Sequence, residues 1–110
     1  MSALDAVARF NAAFDAKDVD AVMAAMTQDC VFEATSPPDG GRHVGQSAVR
    51  AAWEKLFASP GTFTTEEVFA VKDRVVARWR YDWDGGHVRG VDVFTVRDGL
   101  VAEKLAYVKG

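Results

Sequence analysis

Hydrophobic positions along this chain change their period once, near residue 60, and the change separates a helical half from a half made of strands. In the first half, Ala3, Val7, Phe10 and Phe14 follow one another at spacings of four, three and four, the stripe of an amphipathic helix over residues 2–16. Ser2 stands where a cap is needed, and Asp5 complements the positive end of the helix dipole. Asp18 is placed to cap a second helix that buries Val19, Val22, Met23 and Met26 and ends at Thr27-Gln28-Asp29. Residues 30–34, CVFEA, predict a short strand that carries Phe32. The Pro/Gly-rich run from Ser36 to Gly41 predicts a loop, with His43 just after it. A third helix is expected over about 46–58, with Val49, Ala52, Trp53, Leu56 and Phe57 on one face and Ser59-Pro60-Gly61 as its stop.

Beyond that stop the alternation is strict. Residues 63–71 and 74–84 predict two strands joined at Lys72-Asp73, the second alternating Ala77, Trp79, Tyr81 and Trp83 against Val76, Arg78, Arg80 and Asp82. Gly85-Gly86 suits a two-residue primed turn, which sets Trp79 opposite Asp92 and Ala77 opposite Phe94. The last stretch, GVDVFTVRDGLVAEKLAYVK, reads as a hairpin turning at Arg97-Asp98-Gly99 through a three-residue loop. In that register Val96 faces Leu100, Phe94 faces Ala102 and Asp92 faces Lys104. One face of the hairpin is then apolar except for a lone acid and a lone ammonium. An unpaired carboxylate is costly in such a place, so either the two charges pair or Asp92 is shifted and has a task.

Helices first and consecutive hairpins afterwards predict an α+β domain spanning residues 1–110 as one unit. Its three N-terminal helices pack on a strongly curved antiparallel sheet, forming a cone with an internal pocket. The opposite face of the last hairpin, Val91, Val93, Thr95, Val101, Leu105 and Tyr107, is too apolar for solvent, and no further element remains to cover it. That predicts a homodimer through the outer face of the C-terminal strands.

Composition narrows the function. A net charge of −3 without a Lys/Arg cluster argues against nucleic acid and against an anionic membrane surface. Cys30 stands alone, no basic-then-apolar leader opens the chain, and no apolar run could span a bilayer, so a cytoplasmic location is expected. Two histidines and one cysteine, widely separated, match no metal-ligand spacing. The chain also has no Gly-rich phosphate loop and no nucleophile elbow, so no metal and no cofactor are expected.

Three segments, RFNAAFDAKDVDAVMAAMTQDCVFE, HVGQSAVRAAW and VDVFTVRDGLVAEK, in this order and spacing, resemble the nuclear transport factor 2-like superfamily, in its SnoaL-like polyketide-cyclase and ketosteroid-isomerase-like branch. The resemblance implies a cone of three helices against a curved sheet, a deep apolar pocket and frequent homodimers. In ketosteroid isomerases an acid of the VDVF-like motif stabilises an oxyanion, and Asp92 looks like its counterpart. Their oxyanion tyrosine falls at Phe10 and their general base at Ala34, while the last-strand Asp of limonene-epoxide-hydrolase relatives falls at Ala106. Polyketide-cyclase relatives use a single acid/base Asp in an apolar pocket, a pattern Asp92 satisfies.

The candidate catalytic residues are therefore Asp92, Lys104 and His43. Asp92 would hold or move a proton on a carbonyl or enolate oxygen; its structural alternative is an ion pair with Lys104. Lys104 would orient an anionic group or, as a free amine, attack a carbonyl. His43 would serve as base, or be a solvated loop histidine. Phe10, Phe14, Phe32, Trp53, Phe57, Trp79, Tyr81, Trp83 and Phe94 are the candidate ligand-binding wall, with core packing as the alternative for each. A small apolar carbonyl compound is the expected partner, and the residues leave open whether it is turned over, only held, or replaced by the chain's own aromatics in a dimerisation module.

Overall fold

The computed structural model describes residues 2–34 and 40–109. Helix α1 is Ala3–Asp15, and its start is fixed as the sequence requires. The Ser2 hydroxyl accepts from the Asp5 N–H while the Asp5 carboxylate accepts from the Ser2 N–H, a reciprocal capping box. Helix α2, Val19–Ala24, is capped by Asp18, whose carboxylate accepts from Ala21 N–H. It ends earlier than the spacing predicts. Met26, Thr27, Gln28 and Asp29 belong instead to β1, Met26–Ala34, because their backbone finds partners on the last strand: Val101 N–H donates to Ala25 O, and Met26 lies beside Val101.

A short strand β2, Gly41–Val44, pairs antiparallel with β1 where only loop was expected. Of that expected loop, residues 36–39 lie outside the described residues. Helix α3, Gln46–Phe57, buries Val49 and Trp53. Four strands follow as a meander: β3 Thr62–Val71, β4 Arg74–Trp83, β5 Gly86–Arg97 and β6 Leu100–Val108.

The six strands form one open sheet in the order β2-β1-β6-β5-β4-β3. It is mixed, not antiparallel throughout, since β1 runs parallel to β6. Tight turns force antiparallel neighbours only where they join strands directly, and nothing short joins β1 to β6. Helix α1 packs across β3 to β6 and α3 across β1 and β2, so both helices cover the same side. Between them and the sheet lies a core whose largest fully buried side chains are Trp53, Phe10 and Phe94.

Both C-terminal registers differ by two residues from the expected ones. Asp98 and Gly99 both have positive φ and form a two-residue turn, with Arg97 opposite Leu100. One extra residue, Ala102, then bulges from β6, after which Phe94 faces Lys104 and Asp92 faces Ala106. On the other side the turn is Asp84-Gly85, so Trp79 faces Gly90 and Ala77 faces Asp92. A shift of two preserves the face of each side chain, so Asp92 and Lys104 point inward as the alternation predicts. The bulge does reassign the turn end of β6: Val101, expected outside, is fully buried beside Val96.

Candidate active site

A cavity of about 750 Å³ opens between the helices and the inner face of the sheet. That is the size of a site for a small organic ligand. Two aromatic side chains of its wall owe their position to glycines. Trp79 lies across Gly90 so closely that a Cβ there would overlap the indole ring. Tyr81 lies against Gly61 in the same way, and its hydroxyl accepts from the Gly61 N–H at 2.9 Å. Phe63 packs between these rings, with centroids 5.4 Å from Trp79 and 4.5 Å from Tyr81. Alanines complete the space: Ala34 on β1, Ala77 on β4 and Ala106 on β6 all line it.

Asp92 and Lys104 lie on this wall and are both buried, their side chains 10% and 6% exposed. Lys104 Nζ stands 3.5 Å from Asp92 Oδ2, longer than the roughly 2.7–2.9 Å of a well-made charge-assisted hydrogen bond. Asp92 Oδ1 has no hydrogen-bond partner, and neither has the indole N–H of Trp79. Burial raises the Asp92 carboxyl above its ordinary range, opposed by the Lys104 charge and by the nearby Trp79 indole, which favours the carboxylate without reaching hydrogen-bond geometry. Burial likewise lowers the Lys104 ammonium, opposed by Asp92 and by Asp15. Both shifts move toward the uncharged pair, a carboxylic acid beside an amine.

Aromatic rings enclose the lysine. Its Nζ is 4.0 Å from the Phe14 centroid, 5.0 Å from Trp53, 5.4 Å from Phe10, 5.8 Å from Phe32 and 5.9 Å from Phe94. Their faces favour a cation, which partly offsets the desolvation that disfavours it.

Of the residues expected to bind ligand, Phe14, Phe32, Trp79 and Tyr81 line the cavity. Phe10, Trp53, Phe57 and Phe94 do not; they pack behind it, in the core or against its edge, and Trp83 lies at the end of β4 with 42% of its surface exposed. His43 does reach the wall, from β2, with its ring stacked at 13° to Phe32. Arg80 and Asp82 pair with each other at 2.8 Å on the outer face. The sequence reading missed the polar wall made by Asn11, Asp15, Lys55, Ser59 and Thr65. A signal for part of it exists, because Asn11 and Asp15 are spaced by four and flank the buried stripe of α1. Asp15 is raised above its ordinary range by partial burial, against the pull of Lys104.

A family model described as a SnoaL-like domain matches residues 7–104. A crystal structure of an NTF2-like protein of unknown function from Mesorhizobium loti is 36% identical, with a TM-score of 0.87, over 98% of this chain and 91% of that one. A proposed polyketide cyclase from Sinorhizobium meliloti is 25% identical over 93% of each chain, with a TM-score of 0.81. A proposed ketosteroid isomerase from Kribbella flavida, 15% identical over 96% of this chain and 76% of that one, shares the fold with a TM-score of 0.83. No curated protein matches. Three helices on a six-stranded sheet, a hollow behind its inner face and a model match over most of the length agree: the chain belongs to the SnoaL-like domain family, with the NTF2-like cone fold.

Proposed function

We propose that the cavity binds a small, largely apolar carbonyl compound and that Asp92 moves a proton on it. One observation carries this reading: a buried carboxyl, held toward its protonated form and with one oxygen unpartnered, faces an apolar hollow. A neutral acid donates to a carbonyl oxygen as enolate charge develops, and its conjugate base takes the proton from the adjacent carbon. Trp79 and Tyr81 offer flat surfaces for an unsaturated ring. His43 lines the same cavity as a further candidate base, as do Asp15 and Lys104. The names of the polyketide-cyclase and ketosteroid-isomerase neighbours fit isomerase- or cyclase-type chemistry.

The test is exchange of the α-hydrogens of cyclic enones and aryl ketones into deuterated water, followed by NMR, with binding read from tryptophan fluorescence. Asp92→Asn is expected to keep binding and lose exchange by about 10²–10⁴-fold. Exchange at the wild-type rate in that variant would remove Asp92 from the chemistry. A second reading, a module that holds the same ligand without turning it over, is favoured by Phe10, Ala34 and Ala106, where relatives carry reactive groups. Quenching without exchange in the wild type selects it.

The same reading includes a cytoplasmic homodimer. Val91, Val93 and Leu105 are half-buried and Tyr107 is 49% exposed on the outer face of β5 and β6, a surface that a second copy would cover. Sedimentation at micromolar concentration is expected to give twice the chain mass; a monomer there sinks the dimer.

A further inference from the structure

Lys104 is the strangest residue of the cavity wall. Its stem rises from β6 opposite Phe94, its Nζ reaches the wall, and five aromatic rings surround it within 5.9 Å. A lysine that only satisfied Asp92 would do better at hydrogen-bonding distance with its charge partly wet, since a buried pair with imperfect geometry does not recover its desolvation cost. Among the described residues the titratable groups facing it are Asp92 from β5 and, more distantly, Asp15 from α1. Resting on the reading that this hollow binds carbonyl compounds, we propose that Lys104 captures an aldehyde or unhindered ketone as an imine, with Asp92 shuttling the protons.

The steps balance without oxidant or co-reactant. Lys104 passes one proton to Asp92 across the 3.5 Å contact, leaving an amine beside a carboxylic acid. The amine lone pair forms the N–C bond, the carbonyl π pair moves to oxygen, and oxygen takes the proton from Asp92. Asp92 then recovers a proton from the nitrogen, giving a carbinolamine. Asp92 protonates the carbinolamine hydroxyl, the C–O bond breaks, water leaves, and the nitrogen lone pair closes the C=N bond. The product is a protonated imine beside the Asp92 carboxylate, so the net change is loss of one water from the pair and the carbonyl. Burial supports the first step, because it disfavours the ammonium. The aromatic shell then suits the delocalised cation of the product better than the compact ammonium it replaces.

The experiment treats the protein with benzaldehyde or cinnamaldehyde, reduces with sodium borohydride, and maps the secondary amine by peptide mass spectrometry. Lys104 is expected to be labelled about tenfold faster than Lys55, which shares the cavity wall but is exposed, and faster than Lys17, Lys72 and Lys109. Lys104→Met and Lys104→Arg are both expected to lose the fast adduct, and Asp92→Asn to slow it about tenfold or more. Labels spread over the exposed lysines with Lys104 unmodified, while the same aldehydes still quench tryptophan fluorescence, overturn the imine and leave the binding reading standing. Neither quenching nor adduct overturns both.

Discussion

Glu33 with Arg42, and Asp92 with Lys104, are each a carboxylate and a cation on neighbouring strands, the first pair away from the hollow and the second on its wall. The first pair is tight, at 2.6 Å, and wet, with side chains 36% and 55% exposed. The second is looser, at 3.5 Å, and nearly dry. Distance alone would rank the first as the costlier to break at one partner, and that ranking is wrong. In water the gain is screened and offset by ordering two side chains, so an exposed pair is worth roughly 0–1 kcal/mol. In the dry site each charge has lost its hydration, the pair barely recovers it, and loss of one partner leaves the other stranded. The five remaining ion pairs among the described residues, Arg97 with Asp29 included, resemble the first. What distinguishes Asp92 and Lys104 is therefore not attraction but confinement.

The contrast breaks most visibly at Lys104. Lys104→Ala is expected to lower unfolding stability by about 3–5 kcal/mol in denaturant titration, since Asp92 is left buried without its cation. Replacing both, as Lys104→Met with Asp92→Leu, is expected instead to give a chain as stable as the wild type or up to about 4 kcal/mol more so, and inert toward carbonyl compounds. A double variant as unstable as the single one would mean that the pair holds the strands together and that the confinement argument fails. Comparing wild type with the double variant across pH sharpens the point. Between the ordinary 3.8 of aspartate and the raised value of folded Asp92, the folded chain holds the extra proton, so stability falls as pH rises. Between the lowered value of folded Lys104 and the ordinary 10.5, the unfolded chain holds the extra proton, so stability rises with pH. The deficit of the wild type is thus expected to be largest in the middle of the range and to shrink toward either end. Arg42→Ala, the smallest change, is expected to move stability by less than about 1 kcal/mol.

Much of this architecture is legible in the chain, and the gaps have causes. Residues with a period, such as Val7, Phe10 and Phe14 or Trp79 and Tyr81, announce both their element and their face. Met26 and Thr27 do not, because their strand exists through backbone partners supplied by Val101, some seventy-five residues on, with no local alternation to mark it. The four residues of β2 were hidden by the Pro/Gly run beside them. Within the site, Asp92 and Lys104 stand out as the charged residues of an apolar face. Which aromatics line space and which fill it was not legible: Trp53 and Trp79 are alike in sequence, yet only Trp79 sits over a glycine and lines the cavity. Register by itself decides such matters poorly. A three-residue loop and a two-residue turn followed by a bulge count the same number of extra residues, so beyond the bulge an incorrect turn still put the right side chains inside.

The bulge in β6 decides which charge the hollow encloses. Ala102 is the odd residue that brings Lys104 rather than its neighbours to the inner face. Drawing it into the ladder opposite Thr95 would leave the turn intact and rotate the rest of β6 by one position, so that Glu103 came opposite Phe94 and Lys104 faced outward. The enclosed couple of unlike charges would become two like ones, repelling each other and forced to share a proton. Loss of Ala102 altogether would instead straighten β6 and keep Lys104 opposite Phe94, so what fixes the enclosed charge is that this residue stays out of the ladder.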